Sequence, residues 1–266
     1  VFDYFGYGSN MSLRSLQAKG VTALDSRPAR LHGWRLRFNV RHFFRHEGGM
    51  GNIEPTGKPQ DCVQGVLHRC DDDALALLDA AEAYGYGYDR VLVEVNASGA
   101  AVPAFAYVGM PAFIDDACLP TQRYLNILLA GAGHAGLDLA YLDQLRDHPI
   151  HPSADYSPFA APSGEQACFD AASLAQNPCF TALAGAVFDM SEAQPRHEFL
   201  KGFFGGRDMT LFHLQRMDSS DGLETLEDVA LGRLSPRQRA YLNAYLHEYN
   251  AEYRYVGGFQ YDLSQV

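Results

Sequence analysis

Tyr4-Phe5-Gly6-Tyr7-Gly8-Ser9-Asn10-Met11 runs an aromatic strand straight into a cluster of small residues. Phe2, Tyr4 and Phe5 read as a buried strand, and Ser9-Asn10 opens a helix-like stretch that reaches about Lys19. The glycines let backbone approach a ligand closely. N–H groups at the start of a helix point outward and attract anions, carboxylates included. The stretch therefore suits the α-carboxylate of an amino-acid-like substrate. A structural turn with a Ser or Asn cap uses the same residues.

Outward from this loop, 31–38 alternates with period two, as a half-buried strand does. Gly48-Gly49-Met50-Gly51-Asn52 reads as a loop and 62–69 as another strand. Leu75, Leu77, Leu78 and Ala81 give 71–83 helical spacing, with Asp71 to Asp73 expected to cap its start. Strands at 91–95 and 102–107 flank the turn Asn96-Ala97-Ser98-Gly99. Residues 120–148 read as helical, with a break at 131–136. Glu82 ends the 71–83 helix, just before Tyr84-Gly85-Tyr86-Gly87-Tyr88. A carboxylate enclosed by these rings is expected to hold its proton more firmly than usual and to accept one from an ammonium group. A solvated helix-end glutamate is the competing reading.

In order, these segments resemble the γ-glutamylcyclotransferase family, also called AIG2-like or BtrG-like, over residues 2 to about 150. The opening octapeptide resembles the family's YFxYGSN loop. Gly51-Asn52-Ile53 with Val63-Gln64-Gly65-Val66-Leu67 resembles its middle strands. Leu78-Asp79-x-x-Glu82, followed by Tyr88 and Val91-Leu92-Val93-Glu94-Val95, resembles its catalytic segment. Pro120 to Leu145, with Tyr124 and Tyr141, resembles its helical tail. Ala83 stands where the family often has glycine. The resemblance implies a small β-barrel with flanking helices, Glu82 as catalytic acid/base, and Tyr7, Gly8, Ser9, Asn10, Asn52, Tyr88 and Tyr124 around the substrate. It also implies a reaction in which a γ-glutamyl amide cyclises to 5-oxoproline and releases an amine. Hydrolysis of the same bond to glutamate is the alternative reaction. A haem- or small-molecule-binding protein with an inert first domain is the alternative of another class.

Residues 149–166 carry four prolines with Ser153, Ser157, Ser163 and Gly164, the composition of a linker. Beyond it the pattern restarts. Phe169-Asp170-x-x-x-Leu174, Ala184-Gly185-Ala186-Val187-Phe188-Asp189-Met190, Phe203-Phe204-Gly205-Gly206-Arg207-Asp208, Leu234-Ser235-Pro236-x-Gln238 and Tyr253-Arg254-Tyr255-Val256-Gly257 follow in turn. Together they resemble the cytochrome b5-like domain of the membrane-associated progesterone receptor class. In that family a tyrosine ligates haem iron, and the alignment puts Lys201 at that position. Tyr253 is retained as the supporting tyrosine, with His197 and His213 nearby. A lysine must lose its proton to ligate iron, so no cofactor is expected, and haem is the group to test. The expected fold class is α+β in two domains: 1–152 catalytic, 153–167 linker, 168–266 cytochrome b5-like. Tyr241, Tyr245 and Tyr249 recur every four residues and read as a packed helix stripe.

Composition bounds the partners. The net charge of −11 disfavours nucleic acid. Arg35, Arg37, Arg41 and Arg45 read as the wet face of a strand. Five scattered cysteines without a CxxC suggest neither a disulfide framework nor a zinc site. His134, His148 and His151 lack ligand spacing, so no metal is expected. No signal peptide and no apolar run of membrane-spanning length is visible. A cytoplasmic enzyme with a small-molecule γ-glutamyl substrate is expected, without nucleic-acid or membrane partners; homo-oligomerisation is left open.

Overall fold

The computed structural model describes residues 1–163 and 166–262. Residues 164–165 of the expected linker and 263–266 of the expected second domain lie outside the described residues. The chain packs as two units. One is Val1–His42 with Glu47–Pro152, and the other is Phe43–His46 with the chain from Ser153 onward.

In the first unit, β1 (Phe2–Gly6), β2 (Ala23–His32), β5 (Cys62–Cys70), β6 (Tyr88–Ala97) and β7 (Ala100–Gly109) form a closed barrel in the order β1-β5-β2-β6-β7. β1 closes it, antiparallel to β5 and parallel to β7. Strand alternation builds the interior: Val93, Val95 and Ala97 face inward, while Leu92, Glu94 and Asn96 face out. A five-stranded barrel is narrow, so large residues meet small ones. Val91 lies opposite Ala106 and Val93 opposite Ala104.

β3 (Trp34–Arg41) and β4 (Gly49–Pro55) form a separate two-stranded hairpin. Two expectations change here. Residues 31–38 are not one strand, because the chain turns at Gly33 with φ +78, a left-handed conformation that favours glycine. Residues 49–52 are not a loop but part of β4, in register with β3. On β3, Arg35 pairs with Glu54 and Arg37 with Asp116, so these cations are neutralised locally.

Among the helices, α1 (Leu13–Gln17) follows a one-turn 3-10 segment at Ser9–Met11, so the expected single stretch to Lys19 is broken at Ser12, whose hydroxyl caps α1. α2 is Ala74–Ala81, and its N-terminal Asp73 makes no side-chain capping bond, contrary to expectation. α3 (Gln122–His134) runs through Gly131 and Gly133, and the break before α4 (Leu139–Arg146) comes later than expected. Tyr124, Leu125 and Leu128 of α3 pack with Met11, Phe38 and Val66, which fixes the helical tail to the opening loop.

The second unit holds a five-stranded sheet in the order β11-β9-β10-β12-β8, formed by β8 (Ala167–Phe169), β9 (Phe180–Leu183), β10 (Ala186–Asp189), β11 (Arg207–Asp208) and β12 (Arg254–Phe259). Four short helices, α5 (Ala171–Ala175), α6 (Glu198–Phe204), α7 (Thr210–Leu214) and α8 (Leu226–Ala230), accompany the long α9 (Pro236–Glu252). α9 starts on a Ser235/Gln238 capping box with Pro236 in its first turn. Tyr245 and Tyr249 of α9 are buried in this unit's core. The Pro/Ser-rich stretch has no regular secondary structure at 153–162, but it is held down. Phe159 packs on the core, its N–H donates to Asn243 Oδ1, and Asn243 Nδ2 donates to the Ser157 carbonyl.

The tetrapeptide Phe43–His46 lies between β3 and β4 in sequence and in the second unit by packing. Phe44 is 2% exposed. Its ring stacks on Phe204 and Tyr249 and meets the edges of Tyr245, Tyr253, His197 and His213.

Candidate active site

The strand–turn at the start of the chain and the end of α2 meet at one small, partly open cleft. It is lined by Tyr4, Tyr7, Gly8, Ser9, Asn10, Gly51, Glu82, Tyr88, Tyr107 and Tyr124. Six of the eight residues singled out from sequence, Tyr7, Gly8, Ser9, Asn10, Tyr88 and Tyr124, thus come together around the seventh, Glu82. The eighth, Asn52, lies beside the cleft but not in its lining. Its side chain is spent inside the fold: Oδ1 accepts from the N–H groups of Ile53 and Gly109, and Nδ2 donates to Asn39 Oδ1. Its neighbour Gly51 takes the place at the wall.

Glu82 is the C-cap of α2 and its N–H still donates to the Leu78 carbonyl, so the helix end fixes its backbone. The next residue, Ala83, has φ +51. That is the left-handed position where helices commonly end in glycine. A Cβ in this conformation stores about 1–2 kcal/mol of strain next to the carboxylate.

Glu82 Oε1 accepts from Asn10 Nδ2 at 2.9 Å and from Lys19 Nζ at 2.7 Å. Lys19 also donates to Asn10 Oδ1 at 2.7 Å, and Asn10 donates to the Tyr4 hydroxyl at 2.7 Å. The carboxylate shares its cleft with five tyrosines and is also ion-paired with Lys19. Sequence reading missed Lys19, Tyr4, Tyr107 and Gly51. Tyr4 and Gly51 stood within quoted motifs, but no periodicity marks Lys19, nine residues beyond Asn10.

Five tyrosines line the cleft. Burial raises the phenols of Tyr4, Tyr7, Tyr88 and Tyr107, and pushes Tyr124 up to about 12, so all five stay neutral hydrogen-bonding groups at physiological pH. Tyr124 Oη accepts from the Gly51 N–H, and Tyr88 Oη donates to the Gly51 carbonyl, so two rings clamp one residue of β4. Beneath the opening loop, buried His68 is pulled down to about 4 by desolvation and is therefore neutral. Its ring bridges Ser26 Oγ and the Asn10 carbonyl, which anchors the loop to the barrel.

A buried strand leading into a Gly-Ser-Asn turn, opposed by a helix-end glutamate inside a tyrosine-lined barrel mouth, decides the comparison. Residues 4–125 match the gamma-glutamyl cyclotransferase, AIG2-like family. Solved structures agree with this cyclotransferase-like domain. An uncharacterized protein from Homo sapiens and a protein described as gamma-glutamyl cyclotransferase each share 25% identity at a TM-score of 0.50, covering 60% of this chain and 93% of theirs. YkqA from Bacillus subtilis, at 23% identity and a TM-score of 0.50 over 56% of each chain, is alike in fold. No curated protein matches the chain. No helix among the described residues is long and apolar enough to cross a membrane.

The second unit does not fit a haem. Lys201 Nζ is ion-paired with Glu198 at 2.8 Å and donates to the Ser191 carbonyl. Tyr253 Oη is engaged with His197 Nδ1, and Tyr249 Oη with His213 Nε2. Phe44 fills the space among these rings.

Proposed function

We propose that the cyclotransferase-like domain cleaves a γ-glutamyl amide by cyclisation, giving 5-oxoproline and a free amine, with Glu82 as the proton shuttle. The observation that carries this reading is Glu82 in the same small cleft as the Gly8-Ser9-Asn10 turn. The backbone N–H groups near Tyr7, Gly8 and Ser9 bind substrate oxygens and the developing oxyanion. Glu82 takes a proton from the α-ammonium, and the freed amine attacks the γ-carbonyl carbon. As the C–N bond breaks, Glu82 passes the proton to the leaving nitrogen. Of the ammonium's hydrogens one remains on the lactam nitrogen, and the others leave with the released ammonium. Ring closure is intramolecular, so a well-held substrate needs no separate nucleophile.

The test is a panel of γ-glutamyl amides incubated with the full chain. 5-Oxoproline in step with released amine is expected; glutamate in its place would show hydrolysis and overturn cyclisation. A specialised γ-glutamyl amine is the preferred substrate over glutathione, given the second unit fused to the domain. We read that unit as a cytochrome b5-like fold used without haem, and the enzyme as cytoplasmic.

A second result tests the clamp around the turn. A Cβ on Gly8 would lie 2.9 Å from Tyr124 Oη, which already accepts from Gly51. Gly8→Ala must move that hydroxyl, at about the cost of one hydrogen bond. Steady-state kinetics on the best amide should show KM raised roughly tenfold, with kcat changed less.

A further inference from the structure

We propose that Lys19 is a positioning residue for Glu82, holding the carboxylate ionised and fixed in rotamer while it serves as the base. The proposal rests on the cyclisation reading above and adds a residue to it.

Local structure places Lys19 with little freedom. It follows α1 in a turn in which its own N–H donates to the Leu16 carbonyl, and Leu16 is fully buried. Gly20 then turns the chain away with φ +77. From this turn the side chain reaches inward, and both it and Glu82 are mostly covered, at 19% and 16% exposure. One ammonium bridges Oε1 of Glu82 and Oδ1 of Asn10, and the Asn10 amide donates back to the same Oε1. The three side chains form a closed triangle that ties the end of α2 to the opening loop. Asn10 is thereby oriented too, since its amide nitrogen and oxygen have different partners.

The groups facing Glu82 come from several elements. Tyr4 of β1, Tyr7, Tyr88 of β6, Tyr107 of β7 and Tyr124 of α3 each interact with its charge. All are phenols held neutral by burial. Asp79, one turn earlier on α2, is itself paired with Arg90 and accepts from Tyr107. Lys19 sets a full positive charge in direct contact with the base. A substrate ammonium must give its proton to this carboxylate, which requires the ionised form at the moment of binding. As Glu82 becomes protonated its attraction to Lys19 falls, so the neighbouring cation also favours release of that proton to the leaving nitrogen.

The experiment is a kcat/KM–pH profile of the full chain with the amide that gives 5-oxoproline, for wild type, Lys19→Met, Lys19→Gln and Lys19→Arg. Activity requires ionised Glu82, so the profile rises through an acidic limb. Loss of the cation should move that limb to higher pH by about one unit or more. Both neutral variants should therefore lose more activity at low pH than at high pH, while Lys19→Arg keeps the limb near its wild-type position. Lys19→Gln retains donors to Asn10 and Glu82 without the charge, so it separates charge from packing. The Glu82 side-chain ¹³C shift, titrated in the wild type and either soluble variant, reads the same change without turnover. A limb and a titration that stay in place in the neutral variants would overturn the role of Lys19, even with turnover reduced. Glutamate in place of 5-oxoproline would instead overturn the cyclisation reading, and full activity of Glu82→Gln would remove Glu82 as the base, so these failures are distinct.

Discussion

Replacing Glu82 by Gln should lower kcat/KM for 5-oxoproline formation by about 10²–10⁴-fold, the usual contribution of a positioned acid/base. The amide keeps the shape of the side chain, and its oxygen can still accept from Asn10 Nδ2 and Lys19 Nζ. What it cannot do is take a proton from an ammonium group. The effect should fall on kcat as well as kcat/KM, because the proton moves in the transition state and not in binding. Stability should change little, since the amide preserves the hydrogen bonds to Asn10 and Lys19. Rates on matched substrate concentrations and a thermal melt of each protein make the check. Wild-type turnover in a correctly folded Glu82→Gln protein would remove Glu82 from the chemistry.

Phe44→Ala should produce the largest change in stability, about 3–5 kcal/mol, typical of deleting a buried Phe ring. The ring is 2% exposed and lies in the cluster that includes Phe188, Phe204, Tyr245, Tyr249 and Tyr253. Neighbours in the tetrapeptide add fastenings: the Arg45 N–H donates to Glu248, and the His46 ring meets the edge of Tyr245 at 4.2 Å. The loss should be read by the amides of β9, β10 and α9, whose hydrogen exchange should quicken, while those of β5, β6 and β7 in the barrel keep their protection. Uniform loss in both sets would show that the two units unfold as one. No loss in either would mean that the tetrapeptide is not part of the second unit's core. A consequence follows for dissection of the protein: residues 153–266 expressed alone lack a buried ring of their own core, and residues 1–152 alone carry Phe43 and Phe44 without the partners that bury them.

Much of the cyclotransferase-like domain was legible in the chain because its signals are local. The strands read at 62–69, 91–95 and 102–107 are β5, β6 and β7, and the Gly-Ser-Asn turn and the end of α2 were readable from residue types at fixed spacing. So was the stripe of tyrosines on α9, because a helix brings every fourth residue to one face. The failures have equally specific causes. One period-two run covered the end of β2 and the start of β3, since a tight turn at Gly33 interrupts the strand without interrupting the alternation. The glycines of 49–51 read as a loop, yet pairing with β3 makes them a strand, because cross-strand hydrogen bonds override weak propensity.

The sequence alone determined the loop, the glutamate and the strands that carry them, since each depends on residues close together along the chain. Only the tertiary structure decided which cation meets the glutamate, which five tyrosines wall the cleft, and that Phe43–His46 completes the second unit. Those are contacts between residues from six to about two hundred positions apart, such as Tyr4 with Asn10, Lys19 with Glu82 and Phe44 with Tyr249. A hydrophobic period records which side of an element is buried. It holds no information on which distant element covers that side, and packing in three dimensions supplies it.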